Sequence, residues 1–510
     1  MIKKIALLSV LLFTSCSLFK SNIVQPKREF RGVWIATVVN IDWPKNGSDS
    51  WEKQKRDYLN ILDFYQRLNL NAVIVQIRAA GDAFYPSNYA PWSRFLTGKE
   101  GSAPDTHEDP LSWMIDTAHK RGFEFHAWLN PYRATFDLKT EVLAATHDYN
   151  QHPEWMIKYG KKYYYNPGLP EVQQHLVHIM QEVVAKYELD AIHFDDYFYP
   201  YKIKDEVFVD STAYTNYSLP EQSLDAWRRS NVDSLIKKIH HSIKKTKPWV
   251  QFGISPFGVW KNNSTDPRGS DTRAGQTTYE DLYADPLLWM EEGWIDYLVP
   301  QVYWSMDLPV ASHKKIVKWW ANDSLNTKLY IGNGAYKIRN NADKAWRKKK
   351  ELPKQLELAR STAKVEGNVL FSAKSLMKQH HDVVKHIRRK IYKYPALTPS
   401  PDTLKYASNF PVEIPWIKEQ ANYLQFGFKT DRKCSFTLIY AAKKADKLDI
   451  SQPHALIDKI YLGGRNSFTL GKRLLKQKKH IALTFLDRYG VESKPIVLNL
   501  NEIDQYDTEK

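Results

Sequence analysis

Cysteine is nearly absent. The 510 residues hold two, Cys16 and Cys434, so no disulfide framework supports this chain and its stability must come from an apolar core. Long apolar runs are missing as well. Past the first fifteen residues nothing approaches the roughly 20 consecutive apolar residues that cross a bilayer as a helix. There are no internal repeats and no low-complexity tract. Zinc-ligand spacings, RNA-binding signatures and basic heptads are all lacking, so the net charge of +16 does not point to nucleic acid. It leaves a solvated basic surface, an anionic membrane or an acidic polymer as its meaning. Its densest run is Lys472, Arg473, Lys476, Lys478 and Lys479. The histidines His119, His126, His147 and His152 form no His-x-x-x-His pair, so neither a metal nor another cofactor is expected.

What is present begins at the amino terminus. Lys3 and Lys4 precede a short, mostly apolar run over residues 5–13, then Thr14 and Ser15, then Cys16. That is the layout of a secretion signal, too short to span. It resembles a bacterial lipoprotein signal, with Phe13 where leucine is more usual. The resemblance implies a signal over residues 1–15, lipidation of Cys16, a tether over 16–27 and anchoring to the envelope, at the periplasmic or cell-surface face of a membrane. Cys434 is then left without a partner.

A composition of 43% hydrophobic and 25% charged residues is that of a globular protein. The length exceeds one ordinary domain, and an α/β barrel alone takes roughly 250 residues or more. Eight short apolar segments read as strands buried on both faces, over residues 32–38, 72–77, 124–129, 190–194, 250–254, 297–302, 328–331 and 369–371. Helical stretches separate them. Tyr58, Leu59, Leu62, Tyr65 and Leu68 share one helical face. Asp109-Pro110 is an N-cap followed by proline, Pro170 opens another helix, and a long one runs over about 224–245. Eight βα units predict an α/β fold, a (β/α)8 TIM-type barrel over 28–394. Pro395, Pro399, Pro401, Pro411 and Pro415 mark a linker over 395–415. From Asn422 the apolar period changes to two, which predicts a small β-sandwich of the fibronectin type III kind over 416–510.

In such barrels the site lies at the carboxyl ends of the strands. The residues there are Trp34; Gln76, Arg78 and Asp82; Asn130, Tyr132 and Arg133; His193, Asp195, Asp196 and Tyr197; Ser255, Phe257 and Trp260; Gln301, Tyr303 and Trp304; Asn333 and Tyr336. All are polar or aromatic, a lining that suits a sugar, whose hydroxyls take hydrogen bonds and whose C–H faces lie on rings. Ordinary packing at a strand end explains any one of them, but not so many strand ends together. Asp195-Asp196 is the sharpest feature. Adjacent carboxylates at a buried strand end repel, so one should hold a proton near neutral pH and be able to act as a general acid. Alternation along the strand turns Ala191, His193 and Asp195 inward and Asp196 away.

Three segments resemble one family: Arg31-Gly32-Val33-Trp34-Ile35, Ile192-His193-Phe194-Asp195-Asp196-Tyr197, and the run from Trp294-Ile295-Asp296-Tyr297 through Pro300-Gln301-Val302-Tyr303-Trp304. They are similar to glycosyl hydrolase-like family 10, over about residues 28–397. The resemblance implies a barrel glycosidase of the bacterial envelope. At least one member cuts peptidoglycan glycan strands stripped of their stem peptides, so an N-acetylated polysaccharide is the implied partner.

Two carboxylates flanking the scissile bond, about 5–5.5 Å or about 6.5–9.5 Å apart, are the usual glycosidase arrangement. No glutamate stands at a strand end opposite Asp195, and the loop candidates Asp82, Glu280, Asp281, Asp285 and Asp307 are weak. A substrate-assisted route needs no protein nucleophile. By analogy with other N-acetylhexosaminidases, Asp195 would orient the acetamido group and Asp196 would donate the proton. A metal-dependent polysaccharide deacetylase and a glycan-binding lipoprotein with an inactive barrel are the competing readings.

Overall fold

The computed structural model describes residues 23–377, 379–399 and 410–503. Cys16 and the expected signal lie outside the described residues, as does the middle of the expected linker. Eight parallel strands close into a barrel in sequential order. They are β1 (Phe30–Ile35), β2 (Ala72–Arg78), β3 (Glu124–Leu129), β4 (Ala191–Phe194), β5 (Gln251–Ile254), β6 (Tyr297–Leu298), β7 (Lys328–Asn333) and β8 (Val365–Leu370). β1 closes the ring against β8, with Phe30 opposite Gly367 and Val33 opposite Leu370.

Each strand divides its side chains between two cores. Ile192 and Phe194 join the large apolar layer under the outer helices. Ala191 points into the barrel with Phe30, Trp34, Ile74, Trp128 and Tyr297. Phe30 and Tyr330 stack there at 4.1 Å between ring centroids. One glycine is required by this packing. A Cβ on Gly253 would lie 1.9 Å from the Tyr297 ring, so the bare backbone of β5 makes room for that tyrosine.

The helices begin where their capping residues dictate. Trp51–Gln66 buries Tyr58, Ile61, Leu62 and Tyr65. Pro110–His119 starts after Asp109, whose side chain accepts from the backbone N–H groups of Leu111 and Ser112. Pro170–Lys186 and Leu224–Thr246 follow the same pattern of a terminal signal and an apolar face. Three strand readings shift. β1 runs Phe30–Ile35 rather than 32–38, because the chain turns into a short helical turn at Val38–Asn40. β6 ends at Leu298 rather than 302, because Pro300 has no N–H to donate and Gln301 makes only isolated bridges to Phe257 and Gly332. β8 lies earlier than residues 369–371, at Val365–Leu370.

After the barrel, two antiparallel sheets pack face to face. Glu413–Glu419, Tyr423–Lys429 and Ser467–Gly471 form the first; Leu456–Tyr461, Cys434–Ala442, His480–Asp487 and Ile496–Asn499 form the second. Phe426, Ile439, Phe468, Leu483 and Phe485 share the core between them. This strand order is that of a fibronectin type III sandwich.

The sandwich sits beneath the barrel, against the amino ends of the strands. Lys459 donates to the carbonyl of Gly122 (2.9 Å), just before β3. Arg488 lies 4.5 Å from the Trp249 ring, before β5, and pairs with Glu188, before β4. His119 meets Tyr461 at 4.9 Å. The chain enters at the same end: Lys27 pairs with Glu492 of the sandwich at 2.8 Å. Residues 395–399 are not free linker. Glu29 N–H donates to the Leu397 carbonyl and Leu397 N–H to that of Lys27.

Candidate active site

At the opposite, carboxyl-terminal end the loops enclose a cavity of about 800 Å³. Asp195 and Asp196 leave β4 directly into it. Strand alternation alone would turn Asp196 outward, but β4 stops at Phe194 and the freed backbone brings both carboxyls to the cavity wall. Among the described residues they are its only acidic lining side chains. Both are nearly inaccessible, at 4% and 3% exposure.

A directed set of hydrogen bonds fixes Asp195. The Oε1 of Gln76 accepts from the backbone N–H groups of Thr37 and Val38 (3.1 and 2.9 Å). The Gln76 amide must therefore turn its NH2 to Oδ1 of Asn130 (2.7 Å). That in turn makes the NH2 of Asn130 the donor to Oδ2 of Asp195 (2.6 Å). Tyr197 N–H approaches Oδ1 at 3.3 Å. On the other carboxyl, the Tyr201 hydroxyl donates to Oδ2 of Asp196. Arg133 lies 4.2 Å over the Tyr197 ring and supplies the nearby positive charge.

Burial pushes Asp195 up from its ordinary 3.8 to about 7, and the charge of Asp196 adds to the rise; Arg133, Asn130 and the Tyr197 N–H oppose it. Asp196 is also raised by burial, against donation from Tyr201 and Gln301. Burial raises both carboxyls, so the pair favours keeping a proton near neutral pH.

Beneath the pair runs a polar column through the barrel axis. Burial keeps His193 well below its ordinary value, so it is neutral. The Trp34 indole N–H donates to its Nε2 (3.2 Å), which leaves the proton on Nδ1 for the Tyr297 oxygen (3.0 Å). The Tyr297 hydroxyl then donates to Nδ1 of His126 (2.8 Å), and Nε2 of His126 to Glu124 (3.2 Å). Every link has one consistent donor direction.

Of the residues anticipated at the strand ends, Trp34, Gln76, Arg133, Asp195, Asp196, Tyr197, Gln301, Tyr303 and Trp304 line the cavity, as do Ser255, Phe257 and Tyr336. Asn130 and His193 stand behind the wall and bond to it. Five belong elsewhere. Arg78, displaced by an irregularity in the pairing of β2 with β3, donates to the Asn130 carbonyl at 2.6 Å from behind. Asp82 closes its own loop by accepting from Ala80 N–H. Tyr132 is buried in the helix-side core. Trp260 donates to Asp285 and packs on Trp319. Asn333 donates to Asn368 inside the barrel.

The wall also includes residues that strand positions did not reveal. Trp128 on β3 carries a buried indole N–H with no partner among the described residues. Tyr201 lies five residues beyond Asp196, in a tyrosine-rich stretch that could have signalled it. Lys162 arrives on a hairpin, Met156–Tyr159 with Lys162–Tyr165, inserted between β3 and β4. Arg273 and Lys337 arrive on later loops. Among the described residues no three His, Cys, Asp or Glu side chains come together as a metal site.

Residues 29–348 match the family described as Glycosyl hydrolase-like 10. The chain belongs to that family. It is 40% identical over 492 residues to Glycosyl hydrolase YngK of Bacillus subtilis (strain 168), across 95% of this chain and 92% of that one. It is 37% identical over 390 residues to Glycosyl hydrolase DigH of Escherichia coli (strain K12), across 72% and 88% respectively. Among solved structures it is similar to the PgaB (BpsB) glycoside hydrolase domain of Bordetella bronchiseptica, with 13% identity and a TM-score of 0.47, over 72% of this chain and 99% of that one. Family membership and the closed barrel together support a glycosidase.

Proposed function

We propose that the protein is an exported, lipid-anchored glycosidase that hydrolyses an N-acetylated glycan of the bacterial envelope, with peptidoglycan strands as the substrate. The observation that carries this reading is the Asp195-Asp196 pair, which shares one proton near neutral pH in an aromatic-walled cavity at the mouth of the barrel. Anchoring rests on the sequence before Cys16 alone, and the substrate on the family resemblance.

None of the loop carboxylates Asp82, Glu280, Asp281, Asp285 and Asp307 lines the cavity, and three are engaged elsewhere. Asp281 accepts from Thr277 N–H, Asp285 from Trp260, and Asp82 from Ala80 N–H. With no carboxylate on the facing wall, the reading favours attack by the substrate's own acetamido oxygen. In this assignment Asp195, raised by burial and by the charge of Asp196, gives its proton to the leaving oxygen. Asp196, ionised in this assignment, accepts from the acetamido N–H, so that the carbonyl oxygen is aimed at the anomeric carbon. This reverses the division of labour expected by analogy, and substitution of each aspartate in turn decides between the two assignments. Trp34, Tyr303 and Trp304 offer ring faces to the sugars, and the unpartnered Trp128 N–H offers a donor.

The test is mass analysis of products from peptide-free peptidoglycan, intact peptidoglycan and chitin oligomers, with and without EDTA. Cleaved glycan in the presence of EDTA supports the reading. Loss of acetyl groups without chain cleavage would make the protein a deacetylase, and binding without products an inactive barrel.

A further inference from the structure

The charge on the cavity wall is lopsided. Its acidic side chains are Asp195 and Asp196, and the shared proton leaves them with about one negative charge at neutral pH. Four cations face them: Arg133, Lys162, Arg273 and Lys337. Arg133 is taken up by the aspartate pair and the Tyr197 ring. Lys337 donates to the Tyr303 carbonyl at 2.6 Å, a neutral partner. Lys162 and Arg273 have no side-chain hydrogen bond or ion pair among the described residues. The charge of Arg273 also acts on Asp271, an exposed carboxylate paired with Lys315.

Lys162 is the more telling of the two. It is half-buried, and both burial and the charge of Arg133 push it down from its ordinary value. Lys162 is held beside the like charge of Arg133 with no ion pair of its own among the described residues, and that cost is relieved when a ligand brings an anion. The hairpin that carries Lys162 is otherwise well paired, with Met156 opposite Tyr165 and Tyr159 opposite Lys162, so the ammonium is presented by an ordered element.

We propose that the cavity is built for an acidic glycan, and that Lys162 and Arg273 determine this specificity by binding anionic groups carried on the sugars. The proposal rests on the glycosidase reading for the site's purpose but not for its test. A carboxylate suits both residues, as a point charge at Lys162 and in a planar two-point contact at Arg273. Such a carboxylate stands either on the ring of a uronic acid or on an ether arm of an N-acetylhexosamine.

Three tetrasaccharides separate these cases: a hyaluronan fragment, a peptide-free peptidoglycan fragment and chitin. Affinities are measured by calorimetry in the full chain carrying Asp195→Asn, so that nothing is consumed. The expected result is tighter binding of at least one acidic fragment than of chitin, weakening as salt rises from about 20 to about 200 mM. Adding Lys162→Gln and Arg273→Gln should reduce the acidic-to-chitin preference by about fivefold or more, and Lys162→Arg should retain it. Which acidic fragment shows the drop identifies the kind of carboxylate. A smaller drop in a protein with unchanged melting, or equal loss for acidic fragments and chitin, overturns the proposal. If the unmutated chain cleaves none of the three, the hydrolase reading fails while the affinity ratio still decides this one.

Discussion

Replacing either aspartate tests the electrostatics of the pair as well as its importance. Raising Asp195 from 3.8 to about 7 means its charged form is disfavoured by about 4 kcal/mol relative to water. Activity that needs this proton should fall as pH rises through about 7. Two substitutions should move that basic limb in opposite directions. Asp196→Asn removes the neighbouring negative charge, the second largest cause of the rise after burial, so the limb moves to lower pH. Asn130→Ala removes the N–H that stabilises the Asp195 carboxylate, so the limb moves to higher pH. Turnover itself should drop about a hundredfold or more in both Asp195→Asn and Asp196→Asn, the usual worth of such a group. The assay is kcat against pH on a natural oligosaccharide and on an aryl N-acetylglycoside. The activated leaving group needs little protonation, so it should partly rescue Asp195→Asn and not Asp196→Asn. Rescue of Asp196→Asn instead would return the acid role to Asp196. Shifts of the same sign in Asp196→Asn and Asn130→Ala, or near-normal turnover in both aspartate variants, would refute the reasoning.

Three further outcomes are expected. Cys16→Ala should abolish incorporation of labelled fatty acid and release the protein from membranes; labelled, membrane-bound mutant protein would count against the anchor. A chain ending at Pro399 should keep activity on short soluble oligosaccharides and lose thermal stability, because the contacts of Lys459, Arg488 and Glu492 with the barrel base go with the sandwich; loss of activity in a truncated chain that remains folded would contradict this. Glu100 is raised from 4.5 to about 7 by burial, so it stays protonated in the folded state while the unfolded chain ionises. Stability from this group therefore falls as pH rises from about 4.5 to about 7, and Glu100→Gln should stabilise by up to about 3 kcal/mol at pH 8 and by almost nothing at pH 4, as read from denaturant melts.

The barrel was legible because its strands are short apolar runs between helices with clear caps, such as Asp109-Pro110. The sandwich was legible because the apolar period changes after the prolines. Position at a strand end proved a poorer guide to the cavity, because it does not say which way a side chain turns. Gln76 reaches the wall while Arg78, two residues later, is carried behind Asn130 by a local irregularity in pairing. Trp260 and Asn333 have the right chemistry but find partners away from the cavity. Lys162 was invisible for another reason. It comes from an inserted hairpin whose approach to the mouth depends on tertiary packing, such as the bridge between Arg133 and Tyr164.

The placement of the sandwich has a consequence for orientation. Lys27 and Glu492 lie at the base of the barrel, and the cavity opens at the other pole. If Cys16 carries the proposed lipid, the protein stands on its sandwich like a pedestal, with its mouth turned outward. Polymer strands suspended some distance above the bilayer lie within reach of such a mouth. Sugars still attached to lipid, in the plane of the headgroups, lie at its back.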